Sequence, residues 1–550
     1  MNLTSLDGWQ YLNISKQSRW KRIYWTICIL VSIICAILVL VQTITELINE
    51  NVITFQDPKE HSLEEIYFPG LTICNVNQVR RSYFEELGIY GNETAINHIH
   101  SYYMGDHVSM DQANKNATRE ILIGLDEGSK ENGDLKRNAH QNCKHMFISD
   151  RWMGEKQYTN RHGVSYETDW GVCCIYHPKL NKQTLVLQDN EKIINGDDWK
   201  NWKENISKVV MAGRKKGYEL ILDVEGFDYS GADVSYEGFQ LVVGSFHEQA
   251  IVNQRAVQIA PGTENQIAIT PSMSSITARA LSRFDAAKRH CYTENEIGLS
   301  YFPQSKGYMY TMDNCIFEST LHKVFKKCKC YPYNLNFHNK IPCTEEGRVC
   351  MDEVYANLRM VGHIGHDHEK KECLPLCKEQ FLSLFMTAAK YPNENLFIYK
   401  QEFCVITERL MEKCDGVRRK PLEEMYPGIC SKLNALKSID LAEACNDRQW
   451  PLTRATLPNC TWERCDVEDA ITQYSRHNMV AINVFFPNPF VKQLIRDVRF
   501  TTLDFVGNLG GLLGLCMGFS VISLAEILFC FLTSVLTLLS PRKNKILITQ

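Results

Sequence analysis

Two long apolar stretches bracket a mixed polar segment, and they set the organisation of the chain. No charged residue occurs between Arg22 and Glu46, and residues 23–41 (IYWTICILVSIICAILVLV) are almost wholly apolar. At about 1.5 Å per residue such a run forms a helix able to cross a hydrocarbon core of roughly 30 Å. A first span is therefore expected over residues 23–48. The run is too long for the apolar region of a signal peptide, and no small-residue cleavage site follows it. A second uncharged stretch runs from Phe505 to Ala525, is interrupted by Glu526 and continues to Leu539. A second span with its approaches is expected over residues 501–540. One unbroken helix there would be about 50 Å long, more than a bilayer core requires, so the helix either protrudes or breaks inside the membrane.

Between the spans the pattern changes to short alternating runs. Residues 66–76, 164–176, 217–224, 238–243, 265–270 and 478–486 carry β-branched and aromatic residues at strand spacing, which predicts a central sheet. Residues 84–160 are polar and read as a peripheral lobe. Helix-like stretches appear at 316–327 and 378–390. The expected fold is α+β: two spans, a central sheet and helical lobes.

Charge and cysteine add compartment and orientation. A formal net charge of -4 does not favour nucleic acid as a partner. Lys16, Arg19, Lys21 and Arg22 precede the first span, and Arg542, Lys543 and Lys545 follow the second. The positive-inside rule then places residues 1–22 and 541–550 in the cytoplasm and residues 49–500 outside the cell. Of 22 cysteines, Cys28, Cys35, Cys516 and Cys530 fall in the spans and the other 18 lie between them. An even number outside the cell reads as a disulfide framework. Eight fall within 291–377 and six within 404–465, where helical units with few large apolar residues need covalent staples. Sequons at Asn92, Asn116, Asn205 and Asn459 lie on the same side, as glycosylation requires.

The second span carries the most chemistry. Gly510, Gly514 and Gly518 are spaced by four and form one stripe on a helix; Gly507 and Gly511 form a neighbouring pair. Small residues at that spacing let helices approach closely, and plain helix packing without conduction is one reading of them. The other reading uses Gly518, Phe519 and Ser520. If the helix opens there, carbonyls and a hydroxyl facing an axis replace part of a cation's hydration shell. Glu526, ionisable and within the span, belongs beside an aqueous path or a bundle interior. Asp504 near the outer end would attract cations.

Elsewhere the residues favour plainer roles. His363, His366 and His368 offer zinc ligands but sit in a polar loop. Cys328-Lys-Cys330 and Cys373 with Cys377 have metal-ligand spacing, yet disulfides are the expected outcome outside the cell. Asp223 and Glu225 read as a cation site or, more simply, a solvated strand face. Arg214, Lys215 and Lys216 read as surface charge. No nucleophile elbow, P-loop or HExxH motif occurs, so no enzymatic activity is expected and no metal or cofactor is required.

Several motifs, in order along the chain, resemble those of the epithelial sodium channel/degenerin superfamily. They are Phe68-Pro-Gly-Leu-Thr-Ile-Cys74-Asn75, Gly217-Tyr-Glu-Leu-Ile-Leu-Asp223, Ala260-Pro-Gly262, Asn483-Val-Phe-Phe and Gly510-Gly511-x-x-Gly514-Leu515-x-x-Gly518-x-Ser520. The resemblance implies a trimer, either homomeric or with related subunits. It implies palm, β-ball, knuckle, finger and thumb regions, the finger over 84–160, the thumb over 291–377 and an additional cysteine-rich region over 404–465. It implies Na+ as permeant ion in the plasma membrane and amiloride as pore blocker. Gly518, Phe519 and Ser520 fall on the family's selectivity filter, Gly507 on its degenerin gate position and Glu526 on an intracellular-side carboxylate.

The thumb cysteines map onto a family ladder of Cys291–Cys377, Cys315–Cys373, Cys328–Cys350 and Cys330–Cys343, with one rung missing near Ser319 and Lys371. The partners of Cys74, Cys143, Cys173, Cys174 and the six cysteines at 404–465 stay open. Two departures bear on gating. Asp7-Gly8 stands where the family has a His-Gly motif, and Phe55-Gln56 stands about where acid-sensing members carry a histidine pair. The closest resemblance is to the FMRFamide-gated channels, which implies an extracellular peptide ligand. Acid-gated, constitutive or mechanosensitive members, an ATP-gated two-span channel and a non-conducting two-pass receptor are the alternatives.

Overall fold

The computed structural model describes residues 19–48, 52–86, 139–156, 163–178, 186–188, 191–193, 211–230, 236–245, 248–294, 296–301, 309–332, 373–392, 400–436 and 462–518, with scattered positions within 88–96, 343–355 and 520–532. Asp7, Gly8, Asn92, Asn116, Asn205, Asn459, His363, His366, His368, Phe519 and Glu526 lie outside the described residues. Two compact units result: Met1–Phe55, Ile276–His290 and Ile495–Gln550 form one; Gln56–Ser275 and Cys291–Leu494 form the other.

The first unit holds the long apolar helix. Helix α1, Arg19–Ile48, contains the expected apolar run. Among the described residues it is the one helix long and apolar enough to cross a membrane, with a mean hydropathy of 2.9 over its most apolar 18-residue window within Arg19–Glu46. Ile27, Leu30, Ile34, Leu38 and Val41 are exposed on it. An apolar surface all round is what lipid, not water, accommodates. Helix α2, Ala278–Arg283, begins at Thr277, whose hydroxyl accepts from the Ala280 N–H. Ala280 and Phe284 are buried against Val498.

Strands are numbered in chain order, with β1 (Val52–Gln56), β2 (His61–Ser62), β8 (Val186–Gln188), β9 (Glu191–Ile193) and β16 (Phe490–Val498) completing the series, and the second unit is built on two main sheets. In one, β13 (Thr263–Ile276) pairs with β14 (Glu379–Lys390) on one side and with β15 (Met479–Phe485) in parallel on the other. Strand β15 then pairs with β10 (Tyr218–Asp223), β10 with β4 (Phe147–Trp152), and β4 with β5 (Glu155–Lys156). The other sheet runs β12 (Val257–Ile259), β11 (Phe239–Gly244), β3 (Gly70–Asn75), β7 (Val172–Tyr176), β6 (Val164–Glu167). Leu71, Ile73, Leu220, Leu222, Phe239, Leu241, Ile482 and Val484 share the core of this unit. Each such side chain contributes about 1.5–3 kcal/mol on full burial.

Strand β10 explains why Gly217–Val224 reads as nearly continuous apolar sequence: both of its faces are covered. Leu220 and Leu222 join the sheet core, while Ile221 faces a helical layer. That layer is made of α4 (Lys400–Cys414), α5 (Arg419–Met425), α6 (Ile429–Leu436) and α7 (Trp462–Asn478). Ile406, Leu410, Leu422, Leu433, Ile471 and Tyr474 pack there with Ile221 and Met479. Helix α3 (Met312–Cys328) lies in the cysteine-rich segment, covers the expected 316–327 stretch and packs Phe317 and Leu321 against Ile251.

Two expectations are corrected. Residues 378–390 are a strand, not a helix: β14 pairs with β13 over twelve consecutive positions from Thr263↔Lys390 to Ser274↔Glu379. Its burial alternates, with Leu382, Leu384 and Met386 against the core and Phe381 and Phe385 exposed. The helix-favouring Leu, Met and Ala content is overridden by a long sheet partner. The 84–160 lobe is also shorter than expected at its end. Residues 147–152 form β4 inside the first sheet, where Ser149 and Asp150 pair with Ile221 and Leu220.

Seven disulfides join pairs of described residues in the second unit, and Cys404 is disulfide-bonded as well. Cys291–Cys377, Cys315–Cys373, Cys328–Cys350 and Cys330–Cys343 make a ladder. Cys74–Cys173, Cys143–Cys174 and Cys414–Cys430 are further bridges. Cys173 and Cys174 are adjacent on β7, so their side chains leave on opposite faces and take different partners.

Candidate permeation segment and buried ion cluster

The approach to the second span is shaped by one capping box. Thr501 caps α8 (Thr502–Met517): its hydroxyl accepts from the Asp504 N–H at 3.1 Å, and the Asp504 carboxylate accepts from the Thr501 N–H at 2.9 Å and hydroxyl at 2.6 Å. Asp504 is thus an exposed anion with a structural duty at the helix start.

Helix α8 packs against α1. A Cβ added at Gly507, Gly510 or Gly511 would meet nothing within 4 Å, so packing inside this chain does not require glycine at those positions. Gly518 differs. The helix ends there in left-handed backbone at φ +62°, with the Gly518 N–H donating back to the Gly514 and Leu513 carbonyls. Gly518 and Ser520 therefore follow a helix terminus, where the last carbonyls have no intrahelical donor. The break falls at the first residue of the Gly518-Phe519-Ser520 triplet.

In the second unit a cluster of ions lies where β10 meets the helical layer. The Lys413 ammonium is 3.2 Å from Asp223 Oδ2 and 2.6 Å from Glu225 Oε1, and all three side chains are 2% exposed. Arg418 reaches Glu225 Oε1 at 3.2 Å and Asp228 Oδ2 at 3.8 Å. The Tyr474 hydroxyl donates to Asp223 Oδ2 at 2.8 Å. Asp228 accepts from the Ser82 N–H and hydroxyl at 2.7 and 2.8 Å. Burial pushes the Glu225 carboxyl up, but Lys413 and Arg418 outweigh it and hold the group ionised. Burial pushes Lys413 down, but Asp223 and Glu225 outweigh it and keep the ammonium charged.

Asp223 and Glu225 are therefore not a solvated strand face. They do form a cation site, and the cation is the chain's own Lys413. Glu225 adopts left-handed backbone at φ +54°, uncommon for a side-chain-bearing residue. That turn lets both carboxylates address one ammonium, and the Gly226 N–H then donates to Asn478 at 2.7 Å. Sequence reading missed Lys413, Arg418, Asp228 and Tyr474, which are separated by up to 251 positions from Asp223 and carry no local motif. By contrast Arg214, Lys215 and Lys216 are exposed, as surface charge should be.

His145 borders this cluster. Burial, with Arg418 and Lys413 adding to it and Glu225 opposing, lowers its pKa from 6.5 to about 4. Between those values the unfolded chain binds the proton and the folded chain does not, so His145 withdraws stability as pH falls through that window. After discounting for partial solvent screening, the loss is about 1–2 kcal/mol. Thermal melts of detergent-solubilised protein at pH 6.5 and 4 should show His145→Gln losing less stability than the wild type. Equal losses would sink this assignment.

An apolar helix long enough to cross a membrane, a disulfide-stapled fold and a glycine-rich helix that ends at Gly518 fit a membrane channel subunit. The chain belongs to the amiloride-sensitive sodium channel family, which matches residues 1–530. Members of that family are ion channels and not enzymes. Among similar proteins, Pickpocket protein 28 of Drosophila melanogaster is 19% identical over 561 residues, covering 96% of this chain and 76% of that protein.

Proposed function

We propose that this chain is one subunit of a trimeric, amiloride-blocked sodium channel of the plasma membrane. Both termini are cytoplasmic, and a neuropeptide of the FMRFamide type, bound outside, opens the channel. The observation that carries the permeation reading is the end of α8 at Gly518, which frees backbone carbonyls beside Ser520 within an apolar segment. Peptide binding opens such a channel by preferring one of two conformations of the outer fold.

The test is whole-cell current from oocytes expressing the chain alone. Amidated neuropeptides are applied first and acid second, each with and without amiloride. A peptide-evoked, amiloride-sensitive Na+ current supports the proposal. Ser520→Ala should change the Na+ to K+ permeability ratio by at least about threefold, or roughly 0.6 kcal/mol, with surface protein retained. An unchanged ratio would remove Ser520 from the filter. If no ligand evokes current, Gly507→Phe should still produce a standing current, because the added side chain has open space in the chain and acts on the gate. No current from that variant at normal surface level would favour the non-conducting receptor.

One observation favours the acid-gated alternative. Glu248 is buried beside Asp313, with Arg255 Nη1 3.2 Å from Glu248 and 2.5 Å from Asp313. Burial pushes Glu248 up to about 7, with Asp313 adding to it and Arg255 opposing. The folded chain therefore takes up a proton there as pH falls below 7. Current evoked by acid and abolished in Glu248→Gln would transfer the gating assignment to protons.

A further inference from the structure

The first unit carries a dense cationic surface next to its spans. Arg279, Arg283, Lys288, Arg289, Arg496 and Arg499 lie within residues 276–290 and 495–500, against two carboxylates, Asp285 and Asp497. The fold turns much of this charge outward. On α2, Ala280 is buried with Phe284, while Arg279, Leu281 and Arg283 are exposed on the remaining surface. Lys288 is exposed on the short helix Ala286–Arg289, and Asp285 caps that helix by accepting from the Lys288 N–H at 3.0 Å. Arg289 is buried and donates to the Phe284 carbonyl, so it fixes the turn and does not add to the surface.

Depth in the membrane follows from the bonds. Arg283 donates to the Phe500 carbonyl at 2.9 Å, and Arg279 meets Asp497 at 3.1 Å. Phe500 lies three residues before Leu503, which is 79% exposed at the start of α8. One helical turn is about 5.4 Å. The headgroup layer on each side of the hydrocarbon is of roughly that thickness. Exposed Leu503 and Val506 belong in hydrocarbon, which leaves Arg283 and its neighbours among lipid phosphates. Exposed Leu281 on the same helix, together with Ile53 and Phe55 just beyond α1, supplies apolar side chains at the same boundary.

We propose that this cationic collar binds the phosphate groups of anionic lipids in the outer leaflet. Guanidinium groups match phosphate geometry, and the surface is continuous with helices already in the membrane. Each cation near a charged leaflet is worth about fivefold in lipid preference at low salt. The collar rests on the placement of residues 49–500 outside the cell.

The test uses the full-length chain in phosphatidylcholine vesicles. Photoreactive phosphatidylglycerol or phosphatidylcholine is loaded into the outer leaflet by cyclodextrin exchange, and adducts are mapped by mass spectrometry. Phosphatidylglycerol adducts on residues 276–290 should exceed phosphatidylcholine adducts by about a hundredfold, falling at high salt. The triple variant Arg279→Gln, Arg283→Gln, Lys288→Gln should bring the ratio close to one. Because Arg279 also pairs with Asp497, Lys288→Gln alone serves as a variant that leaves the fold untouched, with an expected drop of about fivefold. Equal labelling in the wild type, or a preference that survives both variants, overturns the proposal. Labelling of 276–290 only from lipid loaded on the opposite face from residues 49–500 would instead overturn the topology. Lys16, Arg19, Lys21 and Arg22 serve as the marker of the cytoplasmic leaflet.

Discussion

Lys413→Met should abolish most surface expression of the channel. The substitution fills similar volume but leaves Asp223 and Glu225, each 2% exposed, facing one another without their shared ammonium. Removing one partner from a buried ion cluster costs about 3–5 kcal/mol, because an uncompensated charge remains. That is a large fraction of the stability of any domain. Surface biotinylation of wild type and variant provides the measurement. Adding Glu225→Gln to Lys413→Met should recover part of the loss, since Asp223 keeps the Tyr474 hydroxyl and Glu225's charge is gone. A Lys413→Met chain at wild-type surface level would mean that the cluster contributes nothing net.

Gly518→Ala should reduce Na+ current more than about tenfold, equivalent to roughly 1.4 kcal/mol, with surface protein unchanged. At φ +62° an L side chain costs about 1 kcal/mol relative to glycine. The variant relieves that strain by extending α8 through Phe519, which re-pairs the carbonyls proposed to face the ion. Ion selectivity should fall together with current. Retained current with wild-type selectivity would show that the helix break is not part of the permeation path.

Much of the frame could be read along the chain because it is written in local patterns. The apolar run that becomes α1 and the alternation in β3, β10 and β15 depend only on near neighbours and burial. The second-span break was legible as a spacing problem: a stretch too long for a bilayer, with glycine at the middle. Where reading failed, distant partners decided the outcome. Residues 378–390 contain Leu, Met and Ala in numbers that suit a helix, yet twelve registered pairs with β13 make a strand. The ion cluster was only half legible: Asp223 and Glu225 stand out as a pair, but Lys413 is 190 positions from Asp223 and sits in no motif. Asp223 ended an apolar strand, and only the helical layer above it shows that the carboxylate is buried. The pairs Cys74–Cys173 and Cys143–Cys174 were equally unreadable, since adjacent cysteines offer two assignments that only the sheet resolves.

Those two bridges have a consequence for how the protein tolerates damage. Cys74 and Cys143 bracket residues 75–142, and each is tied to the Cys173-Cys174 pair. A protease that cuts anywhere between 75 and 142 therefore leaves both pieces joined through Cys74–Cys173. The severed subunit would run as one species on a non-reducing gel and as two after reduction, with its core still pinned at both ends. The bridges alone do not make residues 75–142 replaceable, because Asn75, Ser82 and Phe84 are buried in the fold and Ser82 donates to Asp228.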